Sequence, residues 1–113
     1  MSAKQLKQRV VRGKPARGAM IFECYTPGIA QILLNAGCEF ALYDMEHTGA
    51  GIEQMKWQAA ICRGLPIVPL ARPPRGEYRD IATLLDIGMK GVMIPMVESA
   101  DEARRIVEAA YYP

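Results

Sequence analysis

Cysteine and histidine are scarce in this sequence. It has three cysteines and one histidine among its 113 residues. Cys24, Cys38 and Cys62 form neither a CxxC pair nor a Cys/His cluster with the spacing of a zinc site. An odd number of widely spaced cysteines is typical of reduced thiols in an intracellular protein, which argues against both a disulfide framework and a structural zinc site.

A strong excess of one charge and long apolar runs are also missing. The 14 basic residues nearly balance the 12 acidic ones, and only a modest basic cluster occurs near the start. A nucleic-acid partner is therefore not expected. No uninterrupted apolar stretch reaches the roughly 18 residues of a membrane span, and no leader-like apolar segment follows Met1. The sequence predicts a soluble, cytoplasmic protein that binds neither nucleic acid nor membranes.

Short apolar runs recur at regular intervals. They are AMIFEC, FALYDM, PIVPLAR and GVMIPMV, which begin at residues 19, 40, 66 and 91. Each run suits a buried strand, and a segment with helical spacing follows it. Such a recurrence predicts consecutive βα units that form a parallel sheet. We expect residues 1–113 to be one structural unit, with a short helix over residues 4–11 before four βα units.

Two helix starts carry recognisable signals. Thr26 and Pro27 predict an N-cap and a first-turn proline for the helix after the first strand. Ser99 and Glu102 predict a capping box for the helix after the fourth strand.

Four βα units fit either a small doubly wound sheet or half of a (β/α)₈ barrel, which needs about 250 residues. The sequence ECYTPG follows the first strand, where a dinucleotide-binding fold would have a glycine-rich phosphate loop. Polar residues also cluster at the predicted carboxyl ends of the strands, where parallel α/β folds bind ligands. We therefore favour the half barrel. The polar residues are Glu23, Asp44, Glu46, His47, Arg72 and Glu98.

His47 follows the second predicted strand in the string YDMEHTGAG. An imidazole titrates near pH 6.5 and so can accept or donate a proton near neutral pH. Neighbouring acids can fix its tautomer and raise its basicity. The functional interpretation is a general base that acts directly or through a water. The alternative is an exposed loop histidine or a structural hydrogen bond.

Arg72 ends the third predicted strand, directly before two prolines. A guanidinium held there could anchor a carboxylate or a developing enolate oxygen. A structural ion pair with Asp44 or Asp86 explains it equally well. For Asp44 we favour a structural role over one in orienting the histidine. For Glu46 we favour a hydrogen bond to a backbone nitrogen of the following turn over metal binding.

The strings YDMEHTG, VPLARPP, LLDIGMKGVMIPMVESADEA and AAYYP occur in this order along the chain. Together they resemble the HpcH/HpaI family of class II, metal-dependent pyruvate aldolases over nearly the whole sequence. The resemblance implies a (β/α)₈ barrel that cleaves a 4-hydroxy-2-oxo acid into pyruvate and an aldehyde. It also implies a divalent metal, Mg²⁺, Mn²⁺ or Co²⁺, that binds the keto acid. A half barrel leaves sheet edges unpaired and an apolar face uncovered, so we also expect a homo-oligomer.

The resemblance extends to individual residues. His47 matches the family's catalytic histidine, which acts as a base with a water, and Arg72 matches the arginine that stabilises the enolate. Asp44 matches an acid near the histidine, while Asp86 matches an aspartate expected to support the arginine and the sheet. Glu46 is a further supporting residue. The family's metal ligands are a glutamate and an aspartate on later strands, so none is expected within this chain.

The sequence leaves two candidate functions open, and a third candidate is less favoured. The sequence is expected to be the N-terminal half of an aldolase barrel, inactive as 113 residues alone. The alternative is a non-catalytic half barrel that folds by self-association, since unpaired sheet edges and an uncovered apolar face need a partner. The weaker possibility is a binding module for small acids or phosphate that uses Arg72 and helix N-termini.

Overall fold

Three parallel strands and five helices make up residues 1–111, the part of the chain that this computed structural model describes. The last two residues of the AAYYP motif, Tyr112 and Pro113, lie outside it. The elements, in chain order, are α1 (Ala3–Val11), β1 (Gly18–Ile21), α2 (Ile29–Asn35), β2 (Phe40–Asp44), α3 (Ile52–Cys62), β3 (Val68–Arg72), α4 (Tyr78–Asp86) and α5 (Ala100–Tyr111).

The sheet has the order β1-β2-β3, with both pairs of strands parallel, as the repeat of apolar runs predicted. The central strand β2 pairs with both neighbours, and Phe40 at its start lies opposite Gly18 and Val68. A Cβ atom at Gly18 would lie 2.4 Å from the Phe40 ring, so only glycine allows this close approach. At the other end the register sets Asp44 opposite Arg72.

The predicted fourth strand is wrong in extent, because it forms only one isolated bridge. Val92 pairs with Ala71 in parallel, through hydrogen bonds from Ala71 N to Gly91 O and from Met93 N to Ala71 O. The segment then leaves the sheet. Pro95 lacks an N–H group, and Met96 adopts a positive φ of 56°, which no extended strand allows. The described residues thus contain three βα units and a rudimentary fourth.

The two capped helices at the ends of the chain largely follow their sequence signals. The helix predicted over residues 4–11 begins one residue earlier, because Ser2 and Gln5 form a reciprocal capping box. Before α5, the Ser99 hydroxyl accepts a hydrogen bond from Glu102 N, as predicted. The Glu102 carboxylate, however, accepts from Glu98 N instead of closing the reciprocal box on the Ser99 N–H.

The predicted start of α2 is wrong. The helix begins at Ile29 with Gly28 as its N-cap, while Pro27 lies in a turn. Thr26 does not cap the helix with its side chain. Instead its carbonyl oxygen accepts hydrogen bonds from Ile29 N and from the side-chain amide of Gln58 on α3. The Thr26 carbonyl is thus held by a tertiary contact, and the helix starts beyond Pro27.

A buried polar network joins β2, α3 and the loop after β1. The Tyr43 hydroxyl donates to Gln58 Oε1 at 3.0 Å, and both side chains are almost fully buried. The Gln58 amide donates to the carbonyl oxygens of Tyr25 and Thr26 at 2.9 and 3.0 Å. Desolvation raises the pKa of Tyr43, so its hydroxyl stays a neutral donor. This network fixes the loop after β1 against α3.

Large apolar side chains remain exposed on several elements. Met96 and Val97, which follow the rudimentary strand, are 75% and 41% exposed, and Phe22 at the end of β1 is 46% exposed. Ile32 of α2 is 61% exposed. Among residues 1–111, no helix combines the length and hydropathy needed to cross a bilayer.

Replacing Gln58 with leucine tests the buried network. We expect Gln58→Leu to lower the free energy of unfolding by about 1–3 kcal/mol, because the partners of the lost amide keep their desolvation cost without their hydrogen bonds. Urea denaturation followed by circular dichroism measures this loss.

Gln31→Leu is the matched control, because Gln31 is exposed on α2 and its side chain bonds, within residues 1–111, only to that of Asn35. We expect it to change the free energy of unfolding by less than about 0.5 kcal/mol. Equal effects of the two substitutions would contradict a stabilising role for the network.

Candidate active site

The candidate site lies where β2 and β3 end. Asp44 is the last residue of β2 and lies opposite Arg72, the last residue of β3. Glu46 and His47 occupy the turn that follows β2. Since parallel strands present their carboxyl ends at one edge of a sheet, four of the polar residues selected from the sequence meet there.

Asp44 is the buried centre of this cluster, with a fully buried side chain. Its Oδ1 accepts hydrogen bonds from Arg72 Nε at 2.6 Å and from Glu46 N at 3.1 Å. Its Oδ2 accepts one from His47 N at 2.9 Å. The carboxylate therefore shapes the turn that carries Glu46 and His47 and also holds the guanidinium. The backbone contact predicted for Glu46 is made by Asp44 instead.

Hydrogen bonding keeps Asp44 ionised in spite of its burial. Burial by itself raises the pKa of this carboxyl. Hydrogen bonds from the Arg72 guanidinium and from the backbone N–H groups of His47 and Glu46, with the positive charge of Arg72, outweigh burial and hold the pKa below its usual value. Asp44 is thus a fixed negative charge.

Arg72 is tied to the protein through one side of its guanidinium. Its Nε lies 2.6 Å from Asp44 Oδ1 and 3.2 Å from Glu46 Oε2, and the hydrogen bond to Asp44 raises its pKa further. Its Cζ lies 5.9 Å from the centroid of the Phe22 ring, within the range of a cation–π contact. Within residues 1–111 its two Nη atoms make no hydrogen bond, which leaves their N–H groups for a ligand.

Glu46 joins the arginine to the histidine. One carboxylate oxygen lies 3.2 Å from Arg72 Nε, and the other lies 3.2 Å from His47 Nε2. The Glu46 side chain is 17% exposed, whereas that of His47 is 64% exposed. The imidazole therefore stands at the solvent side of the cluster and contacts the arginine through the carboxylate.

Two side chains that sequence reasoning did not select hold the end of β2 in place. The Tyr25 hydroxyl lies 2.6 Å from the Asp44 carbonyl oxygen and 3.0 Å from that of Ile21, and it bridges the ends of β2 and β1. The Thr48 hydroxyl donates to the same Asp44 carbonyl at 2.7 Å. The sequence offered one signal for this role, namely hydroxyl-bearing residues shortly after the ends of β1 and β2. Their shared acceptor follows only from the tertiary structure.

Other residues selected from the sequence do not join the site. Among residues 1–111, Arg72 pairs with Asp44 and Glu46, and the predicted support by Asp86 stays a prediction. Asp86 is exposed at the carboxyl end of α4. That helix runs back from the end of β3, so its last residue lies toward the opposite edge of the sheet. Glu23 and Glu98 are exposed, and among the described residues neither has a hydrogen bond to the cluster.

The residues at this site do not fit a metal ion. Within residues 1–111 no group of three or more His, Cys, Asp and Glu side chains is arranged to bind one. The oxygens of Asp44 and Glu46 already face the guanidinium, backbone N–H groups and the imidazole. Metal binding would require these carboxylates to release Arg72.

A cavity of about 1110 Å³ lies beside the cluster but does not include it. It is bounded by the loop after β3, by Pro95 and Met96, and by one face of α5. Neither Arg72 nor His47 lines it. The candidate residues therefore lie at the strand ends and not in this cavity.

The depressed pKa of Asp44 predicts a contribution to stability that depends on pH. A carboxylate with a lowered folded-state pKa stabilises the fold above its unfolded pKa, about 3.9, and this contribution is lost as pH falls through the folded value. We expect Asp44→Asn to lower the urea midpoint at neutral pH. The difference from the unsubstituted chain should shrink below about pH 4.

Asp101→Asn serves as the control, because Asp101 is 80% exposed and pairs with Arg104 on the surface of α5. Exposed pairs contribute little, so its urea midpoint should match that of the unsubstituted chain across the same pH range. A difference between Asp44→Asn and the unsubstituted chain that stays constant down to pH 2 would contradict the linkage.

Known proteins resemble this chain in both sequence and structure. The sequence profile of the HpcH/HpaI aldolase/citrate lyase family matches residues 19–113. A hydroxypyruvate/pyruvate aldolase from Roseovarius nubinhibens is 36% identical over 102 residues, covering 87% of this chain. A 4-hydroxy-2-oxo-heptane-1,7-dioate aldolase from Shigella sonnei is 37% identical over 84 residues, covering 74%. The crystal structure of an HpcH/HpaI aldolase from Desulfitobacterium hafniense superposes with a TM-score of 0.88 at 32% identity over 96% of this chain.

The chain spans only part of each of these proteins. It covers 40% of the Roseovarius relative, 32% of the Shigella relative and 42% of the Desulfitobacterium chain. A parallel sheet with alternating helices that matches about two fifths of such a protein confirms the predicted half barrel. On the profile match and the shared fold, the chain belongs to the HpcH/HpaI aldolase/citrate lyase family.

Proposed function

We propose that this chain supplies the acid–base and anion-stabilising side chains of a carbon–carbon lyase that cleaves 4-hydroxy-2-oxo acids into pyruvate and an aldehyde. The observation that supports the proposal most strongly is the convergence of His47 and Arg72 on Glu46 at one sheet edge. A proton acceptor and a fixed cation are the two groups that such a cleavage needs. The related hydroxypyruvate/pyruvate and 4-hydroxy-2-oxo-heptane-1,7-dioate aldolases support the same class of reaction.

His47 is the proposed base. Cleavage begins when the C4 hydroxyl loses its proton to the imidazole, directly or through a water, and the C3–C4 bond then breaks to release the aldehyde. The exposed position of His47 gives a water or a substrate hydroxyl access to its ring. Its backbone N–H is fixed by buried Asp44, so the exposed ring starts from an ordered turn.

Arg72 is the proposed stabiliser of the enolate. The electron pair of the broken bond leaves negative charge on the C2 oxygen, and a positioned guanidinium lowers the energy of that charge. Asp44 orients Arg72 through Nε, which keeps the Nη groups available for the ligand. Protonation of the enolate at C3 then completes pyruvate.

A divalent metal is part of the proposal for the whole protein. The family resemblance implies that Mg²⁺, Mn²⁺ or Co²⁺ polarises the keto acid when it is bound. Within residues 1–111 the carboxylates do not fit such an ion, so we propose that its ligands come from outside the described part of the chain. We also propose that the complete assembly is a cytoplasmic homo-oligomer.

A chimera tests the proposed catalytic residues. We would join residues 1–113 to the part of the Roseovarius relative that follows its matching segment. Pyruvate release from 4-hydroxy-2-oxo acids would be measured with each of the three metals and after chelation. We expect His47→Ala to lower kcat about 10²-fold to 10⁴-fold, because the base is lost. Arg72→Lys should lower kcat about 10²-fold to 10³-fold, because ammonium lacks the guanidinium fork.

Arg75→Lys is the matched control, since Arg75 lies three residues beyond Arg72 and is 79% exposed. It should retain the activity of the unsubstituted chimera. Full activity of His47→Ala would remove the proposed base, and full activity of Arg72→Lys would remove the proposed stabiliser. Pyruvate release that survives chelation would contradict the role of the metal.

A non-catalytic half barrel that self-associates is the second candidate. The observation that favours it is the exposed apolar surface near the open end of the sheet, where Met93, Met96 and Val97 are between 41% and 75% exposed. Such a surface is costly in water unless another polypeptide covers it.

Light scattering coupled to gel filtration tests the association of the 113-residue chain. We expect at least a dimer at micromolar concentration, and we expect Met96→Glu to shift the chain toward monomer because it places a charge in the covered surface. A folded monomer for the unsubstituted chain would contradict self-association. Metal-dependent pyruvate release by the 113-residue chain alone would contradict the non-catalytic candidate.

A further inference from the structure

We propose that Phe22 is a positioning residue for Arg72, and that its ring hinders rotation of the guanidinium about the bond between Nε and Cζ. The inference deepens the proposed function, on which its catalytic meaning rests. Its structural content, which is the order of the arginine side chain, does not depend on any reaction.

Phe22 lies on the same face of the sheet as the charged cluster. It directly follows Ile21, the last residue of β1, and Ile21 lies opposite Tyr43. Ile21 and Tyr43 both belong to the hydrophobic core that the sheet shares with the helices. Because side chains alternate between the two faces of a sheet, the residues that follow them, Phe22 and Asp44, turn toward the opposite face.

Arg72 reaches the Phe22 ring by crossing the central strand. In the sheet order β1-β2-β3, β2 separates the strand that ends before Phe22 from the strand that ends at Arg72. Neighbouring strands are about 4.8 Å apart, so β1 and β3 are separated by roughly 10 Å. Arg72 Cζ nevertheless lies over the Phe22 ring, 5.9 Å from its centroid. The arginine side chain thus extends across the end of β2 toward β1.

Two contacts of different kinds restrict the guanidinium. The hydrogen bond from Arg72 Nε to Asp44 Oδ1, at 2.6 Å, fixes one atom of the planar group. Rotation about the bond between Nε and Cζ is compatible with this hydrogen bond, because Nε keeps its place while the two Nη groups exchange positions. Such a rotation moves the Nη groups out of the plane of the guanidinium. A ring beside Cζ obstructs that movement, and the attraction between cation and ring favours the unrotated position.

The exposure of the two side chains fits this role. Phe22 is 46% exposed, whereas the Arg72 side chain is 18% exposed. The ring therefore covers part of the arginine without being enclosed in the core itself. A cation that is ordered before the reaction and partly shielded from water stabilises a developing negative charge more strongly than a mobile, hydrated one. Phe22 thus supports the role proposed for Arg72.

Exchange of the two Nη groups in the 113-residue chain tests the positioning without any substrate. Nuclear magnetic resonance of protein with ¹⁵N-labelled arginine measures the exchange rate, and the Arg72 signals are those that disappear in Arg72→Lys. We expect Phe22→Leu to raise the exchange rate of Arg72 about 2-fold to 10-fold, because the cation–π contact is lost. The rate should move toward that of Arg75, whose side chain is 79% exposed. Phe22→Tyr keeps the ring and should keep the rate of the unsubstituted chain.

Trp57→Leu is the control, because it removes a ring that is 60% exposed on α3. It should leave the exchange rate of Arg72 unchanged. Preserved backbone amide signals of Asp44 and His47 would show that each variant keeps the turn after β2. An unchanged rate in Phe22→Leu, or an equal acceleration in Phe22→Tyr, would overturn the proposal.

The chimera with the Roseovarius segment tests the catalytic meaning. We expect Phe22→Leu to lower kcat about 3-fold to 30-fold, the range of a partly desolvated cation–π contact, and Phe22→Tyr to restore it. KM should stay within about 2-fold, because the enolate charge develops only in the transition state. In the Arg72→Lys background, Phe22→Leu should change kcat less than about 2-fold, because its effect passes through the arginine.

An equal loss of kcat in both backgrounds would overturn the coupling between Phe22 and Arg72. A rise in KM with unchanged kcat would overturn the positioning role in catalysis. The exchange measurement uses no keto acid, so an inactive unsubstituted chimera would remove the proposed function while the exchange rates still decide whether Phe22 orders Arg72.

Discussion

The ion pair between Asp44 and Arg72 is the constraint on which the rest of the site depends. It is formed where two parallel strands end, and the register of β2 with β3 sets the two residues opposite each other. A buried carboxylate is costly unless its charge is met by hydrogen bonds, and here it receives them from a guanidinium and two backbone N–H groups. Arg72 Nε is held by Asp44, while the two Nη atoms of Arg72 make no hydrogen bond among residues 1–111.

A second buried network holds the surroundings of that pair in place. Gln58 reaches from α3 to the carbonyl groups of the loop after β1, and Tyr43 reaches the same amide from β2. Tyr25, which belongs to that loop, contacts the carbonyl of Asp44. The neutral hydrogen bonds of Gln58 and the ion pair between Asp44 and Arg72 thus both contribute to the position of the site. Both are built from side chains on different elements.

The half barrel accounts for the apolar side chains that are exposed after β3. In a closed barrel every strand has two neighbours, whereas the segment after β3 has a partner only on one side among residues 1–111. Pro95 and the positive φ of Met96 then end the pairing after one bridge. The apolar side chains left exposed there are suited to contact with further polypeptide. The charged cluster, by contrast, is complete within two strands and one turn.

The sequence by itself determined the repeat of strand and helix, the parallel sheet and the edge that carries the polar residues. Apolar runs and helical spacing are local patterns, and the chemistry of a strand end is visible in the residues that follow it. It also set Asp44, Glu46, His47 and Arg72 as candidates. Their connections were decided only by the tertiary structure, because strand register and helix direction bring together residues far apart in the chain. That is why Asp44 makes the backbone contacts expected of Glu46, and why Asp86 lies away from Arg72.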